Sequence, residues 1–160
     1  MKKILVIALC LFVGLISNAQ STKDEVTLMQ SLYGLSKQQM IEQNMKITVQ
    51  EHAAFWKIYD EYEAARRVIG QKRADNIMKY AENYGKLTNE KAEELVNASF
   101  AVIAEFSKLQ QSTYQKMAKA LTPVRAAQFI QLEMYLENVV RVEIADQIPF
   151  VGEFPHLQKK

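Results

Sequence analysis

Four times along the chain, an apolar residue precedes a Ser or Thr that opens a run of helix-forming residues. The pairs are Leu35-Ser36, Ile47-Thr48, Leu87-Thr88 and Leu121-Thr122. A hydroxyl at this position can accept a hydrogen bond from the first helical turn, and the preceding apolar residue can pack back against the helix. Glu51 completes a capping box with Thr48, and Pro123 suits the first position of a helix. The pattern therefore predicts four helix starts.

Within the long segments that follow, apolar residues recur on three- and four-residue steps, as on one face of a helix. The spacing predicts a short helix over 37–46 and longer helices over 49–84, 89–120 and 123–147. The predicted stripes are Phe55, Tyr59, Tyr62, Ile69, Ile77, Tyr80 and Tyr84, then Leu95, Ala98, Val102, Phe106, Leu109, Thr113 and Met117, then Ala126, Phe129, Ile130, Leu136, Val139, Val140 and Ile144.

The two longest helices would each reach about 50 Å, but only a short loop at 85–88 joins them. They must therefore fold back as an antiparallel hairpin, with the fourth helix packed along it. We predict an all-α protein with one helical domain over 36–148. A flexible segment over 20–35 precedes this domain, and an extended tail over 149–160 follows it.

The N-terminus has the pattern of a secretory signal peptide over 1–19. Lys2 and Lys3 precede an apolar run from Ile4 to Ile16, and small or polar residues follow up to a junction after Ala19. This run is shorter than the roughly 20 residues that span a bilayer. We therefore expect export to the periplasm and, after cleavage, no insertion into the membrane.

Cleavage would change both the charge and the thiol content of the chain. Removing Lys2 and Lys3 from 20 Lys and Arg leaves 18, which balances the 18 Asp and Glu. No general basic field would then attract nucleic acid. The only cysteine, Cys10, lies inside the apolar run, so the mature chain could form no disulfide.

Two of the helix starts resemble the Leu-Thr-x-x-Gln motif of the Spy/CpxP-like group of exported helical proteins. Leu35, Ser36 and Gln39 fit it with Ser in place of Thr, whereas Leu121-Thr122-Pro123 is followed by Arg125 where the motif has Gln. The resemblance implies ATP-independent binding of unfolded polypeptides, here called clients, or a role in envelope stress.

A closer likeness, over about 47–151, is to exported proteins with no established activity. They share a segment like Phe55-Trp56-Lys57-Ile58-Tyr59-Asp60-Glu61-Tyr62-Glu63 and a block like Ala126 to Glu133. Members of the Spy/CpxP-like group form dimers, and long thin hairpins have little interior of their own. We therefore keep a homodimer as an alternative to a monomer.

The densest aromatic patch of the chain is the candidate client-binding surface. This aromatic patch consists of Phe55, Trp56, Tyr59 and Tyr62, and the same helix carries Arg66 and Arg73 beyond it. One interpretation is a partly exposed face that grips apolar segments beside a basic surface. The other is a hairpin core flanked by solvated charges. Glu133 is expected to point inward and to pair with Arg66 or Arg73.

Groups for catalysis or metal binding are sparse. His52 and His156 are the only histidines, and no matched nucleophile and base or Gly-rich phosphate loop occurs. We expect no enzyme, no cofactor and no metal site. The leading hypothesis is a periplasmic chaperone or envelope-stress protein that binds apolar protein segments. The alternative is a metal or ligand sensor acting on a membrane partner.

Overall fold

The computed structural model describes residues 36–152, and these residues form four helices without a strand. The helices are α1 (Lys37–Met45), α2 (Val49–Asn83), α3 (Asn89–Ala120) and α4 (Pro123–Gln147). The predicted all-α class is confirmed. The expected signal peptide over 1–19, the segment over 20–35 and the tail from residue 153 lie outside the described residues.

Each helix begins at the Ser or Thr that the sequence pattern indicates. The hydroxyls of Ser36, Thr48, Thr88 and Thr122 each accept a hydrogen bond from the backbone N–H three residues further on. Capping boxes are complete at α1 and α2. The Gln39 side-chain oxygen accepts a hydrogen bond from the Ser36 backbone N–H, and the Glu51 carboxylate accepts one from the Thr48 backbone N–H. Local sequence thus determines where the helices start.

Helices α2 and α3 form the predicted antiparallel hairpin. Gly85 lies in the connection with a φ of +83°, a conformation that suits glycine because it has no Cβ. Lys116 binds Glu61 across the hairpin at 2.7 Å. Nearer the connection, the side-chain amide of Asn76 donates to the backbone oxygen of Leu95 at 3.0 Å. These contacts fix the register of the two long helices.

Helix α4 returns along the hairpin in the same direction as α2. Phe129 of α4 packs edge-on against Phe55 and Tyr62, with ring centroids 5.6 Å and 5.5 Å apart. Phe55 and Phe129 are fully buried, as are Met117 of α3 and Ile41 of α1. The main core therefore lies where all four helices meet, near the starts of α2 and α4.

The short helix α1 is held against α4 by both packing and polar contacts. Ile41 and Met45 are buried in the main core. The Arg125 side chain donates to the backbone oxygen of Met45 at 2.7 Å and also binds Glu51. Lys46, with a φ of 47°, ends α1 in the left-handed conformation that often terminates helices.

Candidate functional site

The aromatic patch proposed from the sequence belongs largely to the main core. Phe55 is fully buried, and Tyr59 and Tyr62 are 7% and 2% exposed. Trp56 is half-buried at the edge of the core, where its ring packs against both Phe55 and Tyr59. The core interpretation is confirmed for the three buried rings, which are not available to a client in this structure.

The two arginines of the candidate site lie in different surroundings. Arg66 is buried, and its Nε donates to Glu63 at 3.0 Å. Arg73 lies about two helical turns further along α2, where it pairs with Glu137 of α4. Its guanidinium also stacks over the ring of Phe106, 4.7 Å from the centroid. Arg66 therefore pairs with a residue of its own helix, whereas Arg73 joins α2 to α4, and the two arginines do not form one basic surface.

An ion cluster composed of Lys37, Glu63, Arg66 and Glu133 joins three helices. The ammonium of Lys37 in α1 lies 2.5 Å from Glu63 in α2 and 2.7 Å from Glu133 in α4. The prediction that Glu133 points inward is confirmed, since this residue is 1% exposed. Its ion-pair partner Lys37 was not predicted, whereas the predicted Arg66 acts on its charge from nearby.

The two carboxylates of the ion cluster titrate in opposite directions. Burial raises the pKa of Glu133, and the attraction of Lys37 does not fully offset this effect. Burial also acts on Glu63, but Lys37 and Arg66 together overcome it and hold the pKa below its ordinary value. The cluster connects α1, α2 and α4. Its geometry is that of an interhelical contact.

An open groove lies between α3 and α4, with α2 as its floor. Its volume is about 450 Å³, which is within the range of protein ligand sites. Helix α2 contributes Arg73 and Ile77, α3 contributes Val102, Ile103 and Phe106, and α4 contributes Met134. Half of the sixteen lining side chains are apolar, and the other half are polar or charged. Such a lining can contact a ligand that has both apolar and polar groups.

The floor of the groove is held in place by contacts between helices. The Arg73–Glu137 ion pair joins α2 to α4 beneath the groove. Asn76 joins α2 to α3 by donating to the Leu95 oxygen and, at 2.9 Å, to the Ser99 hydroxyl. These contacts fix the spacing of the three helices around the groove.

Beside the groove, α3 carries an exposed strip that we call the apolar rim. It consists of Val96, Phe100 and Ile103, which are 50%, 64% and 46% exposed. Their spacing of four and three residues places them along one side of the helix. Met134 on the opposite wall is also 50% exposed. This strip was not predicted from the sequence. Apolar residues on α3 outside its predicted core stripe could have indicated an exposed apolar surface.

The residues that resemble the family motif lie at helix starts and not in the groove. Ser36 and Gln39 form the capping box of α1, while Thr122 and Pro123 begin α4. Leu121 packs against the main core, and Leu35 lies outside the described residues. In this structure the motif positions therefore serve helix capping.

Within residues 36–152, no three His, Cys, Asp or Glu side chains lie together in an arrangement that could hold a metal ion. No helix in this part of the chain combines the length and the apolar character needed to cross a membrane.

No family model matches this chain, and no curated protein or solved structure is significantly similar to it. The functional interpretation therefore depends on the groove, the apolar rim and the ion cluster described above.

Proposed function

We propose that this chain is an exported, Spy/CpxP-like helical binding protein that acts without nucleotide as a periplasmic chaperone or envelope-stress protein. Its clients are apolar polypeptide segments, and they bind in the groove between α3 and α4. The observation that carries this proposal is the groove with its apolar rim, in which Phe100 and Ile103 are exposed beside the groove.

Exposed apolar side chains support binding because contact with a client would remove them from water. Each exposed large apolar residue that becomes fully covered contributes about 1–3 kcal/mol to association. Scattered exposed residues are ordinary on protein surfaces, but contiguous ones beside a concave site are typical of interaction surfaces. Val96, Phe100 and Ile103 are contiguous on α3 and adjoin the groove, which favours a site over chance exposure.

Suppression of aggregation tests the proposal. Insulin reduced with dithiothreitol is a suitable client because its released B chain aggregates without heating. The reductant leaves this protein intact, since Cys10 is its only cysteine. We expect the purified protein at several-fold molar excess to suppress light scattering. The double variant Phe100→Ser with Ile103→Ser should suppress it much less.

Val68→Ser is the matched control, because Val68 is 61% exposed on α2 and lies away from the groove. This variant should suppress scattering as well as the unaltered protein does. Absence of suppression by the unaltered protein would contradict the chaperone proposal. Equal loss in the Val68 and rim variants would show that general surface hydrophobicity, and not the groove, is responsible.

A further inference from the structure

The charges around the groove differ in whether they are already neutralised. Arg73, Glu137 and Arg141 are the charged residues that line it. Arg73 and Glu137 form an ion pair with each other, and both are largely buried. Arg141 is exposed on α4, and it forms no ion pair with any residue in the described range 36–152. The groove therefore offers one unneutralised positive charge to a ligand.

The position of this charge relative to the apolar walls defines the ligand further. Arg141 lies seven residues after Met134, which is two helical turns, or about 10 Å along α4. Both residues line the groove, and Ile103 faces it from α3. Between Ser99 and Gln110 the α3 wall extends for about 17 Å. Along α4 a ligand therefore passes Met134 and, two turns later, Arg141, and the apolar residues Ile144, Ala145 and Ile148 follow.

A helical polypeptide segment matches this arrangement better than a compact small molecule does. The apolar rim continues along α3 to Phe100 and Val96, which do not line the cavity itself. An elongated ligand can cover both the cavity and the rim, whereas a small molecule would fill the cavity alone. An amphipathic helix presents residues at two-turn spacing on one face, as this surface requires.

We propose that the groove binds an amphipathic helical segment that carries a carboxylate two turns from its apolar anchor, and that Arg141 pairs with this carboxylate. The inference rests on the proposed function and specifies which apolar segments the protein prefers. The apolar anchor lies at Met134, two turns before Arg141 on α4. Segments with Glu or Asp two turns from the apolar anchor bind more tightly than segments with a neutral residue there, and segments with Lys there bind more weakly.

Fluorescence anisotropy with designed peptides tests the inference. Three labelled helical peptides of Ala and Leu differ only in one residue, Glu, Gln or Lys, two turns from a Leu pair. We expect the Glu peptide to bind about fivefold more tightly than the Gln peptide, as for a partly exposed ion pair. Arg141→Gln should remove this difference, and Arg141→Glu should make the Lys peptide the tightest ligand.

Arg67→Gln is the matched control, since Arg67 is exposed on α2 and does not line the groove. This variant should keep the preference for Glu. Equal binding of the Glu and Gln peptides to the unaltered protein would overturn the inference, as would a Glu preference that survives Arg141→Gln. Binding of none of the peptides would also overturn it. The insulin assay decides separately whether the chaperone proposal fails with it.

Discussion

At the scale of single residues, Glu63 and Glu133 share Lys37 but respond to burial differently. Glu63 is also bonded to Arg66, so two cations stabilise its charged form and lower its pKa. Glu133 has Lys37 as its direct ion-pair partner, and its Oε1 receives no hydrogen bond within the described residues. The charge on Glu63 therefore stabilises the fold more than the charge on Glu133 does.

We expect Glu63→Gln to lower the free energy of unfolding by about 3 kcal/mol at neutral pH, because it weakens the contacts of the partly buried Lys37 and the buried Arg66. Glu133→Gln should lower it by less, since Lys37 keeps Glu63 as its partner. Urea unfolding followed by circular dichroism measures both changes. A larger loss for Glu133→Gln would contradict this account of the ion cluster.

The same two variants should differ in their dependence on pH. The pKa of Glu63 is lowered from 4.5, so its contribution is present above that value and is lost as pH falls through the lowered pKa. The pKa of Glu133 is raised from 4.5, so the folded chain keeps this proton to a higher pH than the unfolded chain does. Stability therefore falls as pH rises from the unfolded-state pKa to the raised pKa. Glu63→Gln should lose the fall in stability at low pH, and Glu133→Gln should lose the fall in stability as pH rises. Each variant should keep the other dependence.

Helix caps are a second determinant at this scale. Thr122 accepts the Arg125 backbone N–H at 3.1 Å at the start of α4. We expect Thr122→Ala to lower the free energy of unfolding by about 1 kcal/mol, as for other lost N-caps. Thr122→Ser keeps the hydroxyl and should stay close to the unaltered protein in urea unfolding. Equal destabilisation by Ala and Ser would show that the cap is not the cause.

At the scale of elements, α1 depends on its neighbours more than the other helices do. It has nine residues, and isolated helices shorter than about 12 residues are marginal in water. Its contacts are the buried Ile41 and Met45, the Lys37 ion pairs, and the Arg125 hydrogen bonds at its C-terminal end. Its stability therefore comes from packing on α2 and α4.

We expect Arg125→Gln to increase hydrogen exchange of α1 amides about tenfold, because charged hydrogen bonds of this kind contribute more than 1 kcal/mol. Amides in the middle of α3 should keep their protection. Arg67→Gln, an exposed change on α2, serves as the control and should leave α1 unaffected. Uniform loss of protection across all helices would show that Arg125 supports global stability and not the docking of α1.

The helices themselves were predictable from the sequence because their signals are local. A capping hydroxyl, its apolar neighbour and the following periodicity all lie within one segment, and they predicted the starts of all four helices. The predicted ends of α1 and α2, at 46 and 84, extend one residue past the observed Met45 and Asn83. Short connections then made the antiparallel hairpin the expected arrangement.

At the scale of the whole molecule, features built from separate segments were not predictable. The Lys37–Glu133 pair joins residues 96 positions apart, and no local pattern marks it. The groove lies where α3 and α4 face each other with Ser99, Ser107 and Asn138 among apolar residues. These polar side chains look like ordinary surface positions in the sequence, because only the packed arrangement shows that they share one cavity.

The central claim at this scale is that clients bind in the groove of α3 and α4, while the aromatic patch supports the core. Two serines on α3 allow a matched test. Ser107 lines the groove, whereas Ser112 is exposed but does not line it. With Cys10 replaced by Ser, each position can carry a single cysteine labelled with an environment-sensitive dye.

The decisive measurement is dye emission on addition of an unfolded client, compared between Ser107→Cys and Ser112→Cys. We expect a blue shift and increased intensity at position 107, because a client covering the groove would exclude water from the dye there. Position 112 should change little. Equal responses at both positions, or a response at 112 alone, would contradict the groove as the binding surface.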